Sequence, residues 1–179
     1  MIVLGIDPGT AVTGYGLVSS DGRSPDGSRA GKDGRDAPRL IECGVIRTLA
    51  RSALCTRLNA IFDGVSELIA RHHPDAIAVE DVFYSRNVRT TLVLGHARGV
   101  VLLAGERAGI AVHEYSPALI KKTVVGRGGA TKDQVQFMVA RLLRLKSAPQ
   151  PADAADGVAC ALTCVMSAGM ARLRARAFA

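Results

Sequence analysis

The chain has 179 residues, 48% hydrophobic and 22% charged, which favours one domain over 1–179 with its own core. No apolar run reaches the roughly 20 residues of a membrane span, and we expect neither a signal peptide nor a membrane segment. The net charge of +7 is uneven. Residues 1–82 carry nine basic and eleven acidic side chains, 83–132 carry eight and two, and 133–179 carry six and three. A basic middle and end favour a polyanionic partner, nucleic acid before a membrane surface.

The first part of the chain predicts three strands. Residues 2–7 are too apolar to alternate and suit a central strand, whereas 13–19 and 39–48 alternate and are rich in β-forming residues. Short connections would make these strands an antiparallel meander. Residues 19–38 carry Gly, Pro, Ser and mixed charges with little apolar content, which predicts a long, mobile surface loop.

The middle of the chain alternates helices and strands. Helical periodicity over 53–72 ends before Pro74, because proline cannot continue a helix. A strand over 75–81, a helix over 88–107 and a strand over 109–115 follow. We therefore predict a mixed α/β fold, with a five-stranded sheet whose first three strands are antiparallel.

Helices alone are predicted for the last third of the chain. A Ser-Pro pair supplies an N-cap and an N1 proline to the first, and a Thr-x-x-Gln capping box starts the second. These helices begin at Ser116, at Thr131 (to about Leu145) and near Ala152, the last leading into a basic tail over about 170–179.

The cysteines show no spacing typical of a zinc site or of a disulfide framework. Cys160 and Cys164 are one helical turn apart among apolar residues, and Cys43 and Cys55 lie far from them. We interpret them as free thiols in a reducing cytoplasm.

Four carboxylates are candidates for one metal centre. Asp7 ends the first strand, Glu80 ends the fourth, and Asp153 and Asp156 share a face of the last helix. If the first and fourth strands are neighbours, all four can meet at one end of the sheet. Carboxylates held together repel each other, and oxygen ligands suit Mg²⁺ or Mn²⁺. Each acid also has a separate structural explanation, namely an Asp-Pro-Gly turn, an exposed strand end and the dipole of a helix.

Five segments that span nearly the whole chain resemble the RuvC family of Holliday-junction resolvases. They are "GIDPGTAVTGYG", "AVEDVFYSRN", "GHARGV", "VVGRGGATKDQV" and "PADAADGVACALT", in the family's order and spacing. The resemblance implies a ribonuclease-H-like fold and a homodimeric DNA endonuclease. It implies paired, metal-dependent nicks in four-way junctions that leave 5′-phosphate and 3′-hydroxyl ends during recombination and repair.

The resemblance also assigns residues and partners. The family's catalytic, metal-binding acids fall on Asp7, Glu80, Asp153 and Asp156, with two Mg²⁺ ions expected per site and Mn²⁺ as a substitute. It further implies work with the RuvA–RuvB branch-migration complex. The long connection over 19–38 departs from the family pattern and puts in doubt any contact that a shorter loop makes in relatives.

Two segments combine basic and aromatic side chains that suit DNA. The segment after Glu80 could stack an aromatic ring on an unpaired base, a role that the resemblance gives to Phe83, or it could merely anchor a loop. The segment around "GRGG" could contact phosphates or be a solvated surface. The candidate DNA-binding residues are Phe83, Tyr84, Arg86, Arg89, Lys121, Lys122, Arg127 and Lys132.

The helix over 88–107 carries Leu92, Gly95, Gly99 and Leu102, a stripe that could form a two-fold dimer interface or pack on its own sheet. Two rival functions remain open. "GIDPGT" could be the phosphate loop of an ATPase or kinase, although 179 residues leave little room for a second lobe. The chain could also bind DNA without cutting it, which four intact acids argue against.

Overall fold

The structure, a computed structural model, describes residues 1–20, 37–81 and 88–177, with the backbone alone for 171–177. The predicted loop over 19–38 lies largely outside these ranges, as do residues 82–87. The elements in chain order are β1 (Ile2–Asp7), β2 (Val12–Ser19), β3 (Arg39–Arg47), α1 (Leu54–His72), β4 (Ala76–Glu80), α2 (Val88–Arg107), β5 (Ala111–Tyr115), α3 (Pro117–Val125), α4 (Lys132–Leu142) and α5 (Ala152–Ala177).

The sheet has the order β3-β2-β1-β4-β5. β1 pairs antiparallel with β2, and β2 pairs antiparallel with β3. β1 pairs parallel with β4, and β4 with β5. The mixed five-stranded sheet predicted from the sequence is therefore confirmed, and so is the adjacency of the first and fourth strands.

Each face of the sheet is covered by a different helical layer. Leu4 and Ile6 of β1 point into a core formed with α1 and α2. Val3 points the other way, into a core formed with α3, α4 and α5. Because side chains alternate along a strand, Asp7 shares the α5 face with Val3 and Gly5.

Helix ends follow local sequence signals. α1 ends at His72, and its C-cap residue, His73, takes a left-handed conformation with φ of 45° one residue before Pro74. The capping box at Thr131 forms as predicted, with the Gln134 side chain accepting from the Thr131 N–H. α4 ends at Leu142, earlier than predicted, because Arg144 adopts a left-handed φ of 54°.

The structure also bears on the predictions for the C-terminal tail, the cysteines and membrane-spanning segments. The backbone of α5 remains helical as far as Ala177, so the predicted basic tail begins inside this helix. All four cysteines are free. Among the described residues, no helix combines the length and apolar character that crossing a membrane requires.

Candidate metal centre and basic pocket

Parallel pairing of β1 and β4 brings two of the candidate acids together. The register pairs Gly5 with Ala78 and Ile6 with Val79. The next position along each strand is occupied by Asp7 and by Glu80, the last residues of the two strands. Both carboxylates therefore leave the same edge of the sheet, on the face that α5 covers.

Close packing of α5 on the sheet brings the other two acids to this edge. A Cβ added to Gly5 would lie 2.2 Å from the Gly157 carbonyl oxygen, and one added to Gly14 would lie 1.9 Å from the Asp153 carbonyl oxygen. A Cβ on Gly157 would in turn lie 2.6 Å from the Cα of Tyr15. Only glycine permits such a backbone approach. The seat of the helix therefore sets the position of Asp153.

Three carboxylates form a cluster that can hold a cation. One oxygen each from Asp7, Asp153 and Asp156 lies within 4.8 Å of the others. Glu80 is outside this tight group but lines the same pocket as Asp7 and Asp156, which has a volume of about 220 Å³. The donors are all carboxylate oxygens, the ligand type that Mg²⁺ and Mn²⁺ prefer. The residues present therefore fit a hard divalent cation.

Electrostatics in the pocket oppose full ionisation of the acids. Burial raises the pKa of Asp7 to about 6, helped by the charges of Asp156 and Asp153. Burial raises the pKa of Glu80 to about 7, helped by Asp7 and Asp156. A dication bound between these groups would replace the missing solvation and cancel the repulsion, so the charge pattern also fits a metal.

Two lysines offset part of this negative charge. Lys132, at the start of α4, places Nζ 2.6 Å from Oδ2 of Asp156. This hydrogen bond raises the pKa of Lys132. The pKa of Asp156 is nevertheless raised, because desolvation outweighs the lysine. Lys121, on α3, lines the pocket, and its charge offsets part of the rise in the pKa of Glu80 that burial causes.

The other predicted DNA-binding residues that the structure describes do not line this pocket. Lys122 and Arg89 are exposed. Arg127 is exposed too, and its Nη2 donates to Oε1 of Gln134 over 2.8 Å. Three more, Phe83, Tyr84 and Arg86, lie outside the described residues.

An ion-pair clamp beside Glu80 was missed by the sequence analysis. Arg98 of α2 bonds Glu114 of β5 and places Nε 3.4 Å from Oδ1 of Asp81, the residue after Glu80. The contact with Asp81 is an ion pair, and within the described part of the chain Arg98 Nε has no hydrogen-bond partner. Sequence spacing gave no signal for the clamp, because its members come from three elements.

A mixed sheet that gathers carboxylates and lysines in one open pocket is typical of a class of protein, the nucleases that act on phosphodiesters with the help of divalent cations. The chain belongs to the RuvC family, since the family model described as crossover junction endodeoxyribonuclease RuvC matches residues 3–164.

Similar proteins cover almost the whole chain. A crossover junction endodeoxyribonuclease RuvC of Heliobacterium modesticaldum is 44% identical, over 93% of this chain and 95% of the relative. That of Halorhodospira halophila is 48% identical, over 89% of this chain and 87% of the relative. The structure of Thermus thermophilus RuvC in complex with a Holliday junction substrate superimposes with a TM-score of 0.83 at 35% identity, covering 96% of each chain. This family membership argues against the kinase alternative.

Proposed function

We propose that this protein resolves four-way DNA junctions in recombination and repair by paired, metal-dependent nicks that leave 5′-phosphate and 3′-hydroxyl ends. The observation that carries the proposal is the carboxylate cluster of Asp7, Asp153 and Asp156, with Glu80 in the same pocket. Family membership supports the substrate, and the basic balance of residues 83–179 supports a DNA partner.

The four acids would hold Mg²⁺, with Mn²⁺ as a substitute, and two ions per site are proposed. When bound, such ions lower the pKa of water and stabilise charge on a leaving oxygen. Asp7 and Glu80 then need to be ionised, which their raised pKa values oppose until a cation binds. Lys132 bonds Asp156 without DNA, and a phosphate entering the pocket offers its ammonium group a second anionic partner.

The direct test is cleavage of a synthetic four-way junction with and without Mg²⁺, beside linear duplex. We expect Asp156→Asn to bind the junction and to cut it at background level, because cation binding needs the carboxylate charge. Asp133→Asn is a matched control, since Asp133 is an exposed acid on α4 outside the pocket. Near wild-type cutting by Asp156→Asn under saturating Mg²⁺ would refute the assignment. Binding without cutting by the wild-type protein would favour the alternative of a non-cleaving module.

A homodimer is proposed through the exposed face of α2. Leu92 and Leu103 are 60% and 51% exposed, and a Cβ added to Gly95 or Gly99 would meet no atom of the described residues within 4 Å. These residues line a groove of about 520 Å³ that a second copy could fill. Leu102, which the sequence analysis placed in this stripe, instead packs against the α1–α2 core, and Leu103 continues the stripe.

Sedimentation tests the dimer. We expect Leu92→Glu to yield folded monomers, because a carboxylate in an apolar interface would be buried without a partner. Phe137→Glu is the control, since Phe137 is 62% exposed on α4, away from the groove. A Leu92→Glu protein that sediments as a dimer would exclude this face.

Phe83 is proposed to open the crossover by stacking on an unpaired base, a contribution of about 1–3 kcal/mol per base. We expect Phe83→Ala to bind junctions normally and to cut fully paired ones slowly. Mismatches at the crossover should restore its rate, because the bases there are already unpaired. Equal impairment on paired and mismatched junctions would reduce Phe83 to an anchor of its loop.

Two further proposals follow the family resemblance. The protein is proposed to act in the cytoplasm and together with the RuvA–RuvB branch-migration complex. Co-sedimentation with RuvA–RuvB assembled on a junction, compared with the junction alone, tests the second. An unchanged amount of bound protein would count against a direct contact.

A further inference from the structure

A basic pocket, distinct from the carboxylate pocket, lies at the same edge of the sheet. β3 runs parallel to β1, because both strands pair antiparallel with β2. The carboxyl ends of β1 and β3 therefore emerge together, the first at Asp7 and the second at Arg47. The connection from β3 to α1 encloses a pocket of about 190 Å³, whose polar lining consists of Arg47, Thr48, Ser52, Thr56 and Arg57.

The lining chemistry suits a phosphodiester. Two guanidinium groups and the hydroxyls of Ser52 and Thr56 can face a ligand there, whereas the Thr48 hydroxyl already donates to the Thr10 carbonyl oxygen. The lining residues, all in the described part of the chain, include no carboxylate. Guanidinium and hydroxyl donors are the usual contacts to DNA backbone oxygens. Arg47 and Thr56 are exposed, so a large ligand can reach them.

One of the arginines is held in place by the turn that follows β1. Nε of Arg57 donates to the Thr10 carbonyl oxygen over 3.0 Å and lies 3.2 Å from Oγ1 of Thr48. These bonds use Nε, and a guanidinium carries four further N–H donors on its two Nη atoms. Arg57 is therefore held in position by the turn after β1, and its Nη atoms remain able to bind a ligand.

The distance to the carboxylates limits which phosphate can bind. Thr10 is three residues after Asp7, so their Cα atoms are at most about 11 Å apart. Arg57 contacts Thr10, so one DNA strand, with a rise of about 3.4 Å per nucleotide, can reach both the carboxylates and this pocket within a few nucleotides. We propose that this pocket binds a backbone phosphate a few nucleotides from the cut and holds the DNA arm that flanks it. The proposal rests on the junction-cutting function proposed above.

Binding measurements with a labelled four-way junction, in the absence of divalent metal, test the pocket. We expect Arg47→Gln and Thr56→Asp to bind about tenfold more weakly, the effect of losing a charged hydrogen bond or adding a repulsive charge. Arg47→Gln should also reduce the slope of log affinity against log salt by about 0.9. Arg141→Gln is the matched control, because it removes the same charge from the far end of α4. Thermal unfolding of each variant checks that the fold is intact.

Neutral methylphosphonate linkages, placed one at a time within about four nucleotides of the cut, test direct contact. At one position the neutral linkage should weaken wild-type binding and leave Arg47→Gln binding unchanged, because that contact is already lost. Folded Arg47→Gln and Thr56→Asp proteins that bind like Arg141→Gln would overturn the proposal and leave the proposed function standing. A wild-type protein that binds no four-way junction would overturn both.

Discussion

Replacing Asp7 by Asn is expected to stabilise the metal-free protein while it abolishes cleavage. Asp7 is a buried acid among acids, and its pKa is about 6 against an ordinary value of 3.8. The folded protein therefore binds this proton more tightly than the unfolded chain does. Stability is lost as the pH rises from about 4 through 6, and the loss is complete above that range.

The size of the effect follows from the shift. A pKa difference of this size corresponds to about 3 kcal/mol above pH 7, at 1.36 kcal/mol per unit. Two effects reduce this value: part of the shift comes from repulsion by Asp156 and Asp153, whose own ionisation can adjust, and the Asn amide still has to be buried. We therefore expect the free energy of unfolding to rise by about 1–3 kcal/mol. For a chain of this size, that raises the melting temperature by about 3–10 °C. At pH 4.5 the gain should fall below about 1 kcal/mol, because folded wild-type Asp7 is already protonated.

Thermal unfolding of both proteins at pH 8 and pH 4.5, in EDTA and then in excess Mg²⁺, measures the effect. Mg²⁺ should stabilise the wild-type protein more than Asp7→Asn, because the cation binds the folded carboxylates. A variant that is no more stable than wild type at pH 8 would refute the argument. A difference that does not change with pH would show that packing, rather than charge, was altered.

Three other changes probe the supports of the site. Gly14→Ala should destabilise the fold by about 1–3 kcal/mol or more and reduce cleavage, because the added Cβ would overlap the α5 backbone. Gly169→Ala is the control, since the described residues leave open space at its Cβ, and it should change neither stability nor cleavage. Unfolding and cleavage assays of both variants measure these effects. Arg98→Ala should cut several-fold more slowly at unchanged junction affinity, since it frees Asp81 beside Glu80, and unchanged cutting would remove the clamp from the site. Lys132→Ala should weaken junction binding and flatten its salt dependence, and an unchanged salt slope would exclude a phosphate contact.

Much of the architecture was predictable because its signals are local. The apolar run over 2–7 predicted a central strand, and the structure places β1 in the middle of the sheet. The capping box at Thr131 predicted the start of α4. The acids at strand ends could be listed from the sequence, but their meeting required β1 and β4 to be neighbours, which the sequence analysis assumed and the pairing in the structure shows.

The parts that were missed depend on contacts between distant elements. Nothing in the spacing of Gly5, Gly14 and Gly157 shows that they lie where the backbone of α5 contacts β1 and β2, since each belongs to a different element. The sequence analysis placed Leu102 rather than Leu103 in the α2 stripe, because the two residues lie near opposite edges of the same helical face. Only the packing in the structure shows that Leu102 contacts the core and that Leu103 lines the groove. Arg47 and Arg57 were not among the predicted DNA-binding residues, because the half of the chain that contains them is net acidic.

The packing of α5 on β1 and β2 has a consequence for synthesis of the protein. Asp7 is translated before Asp153 and Asp156, which follow it in the chain by 146 and 149 residues. Contacts between such distant segments close a long loop and form late in folding. A nascent or truncated chain without α5 therefore lacks two of the four acids and cannot form the carboxylate cluster.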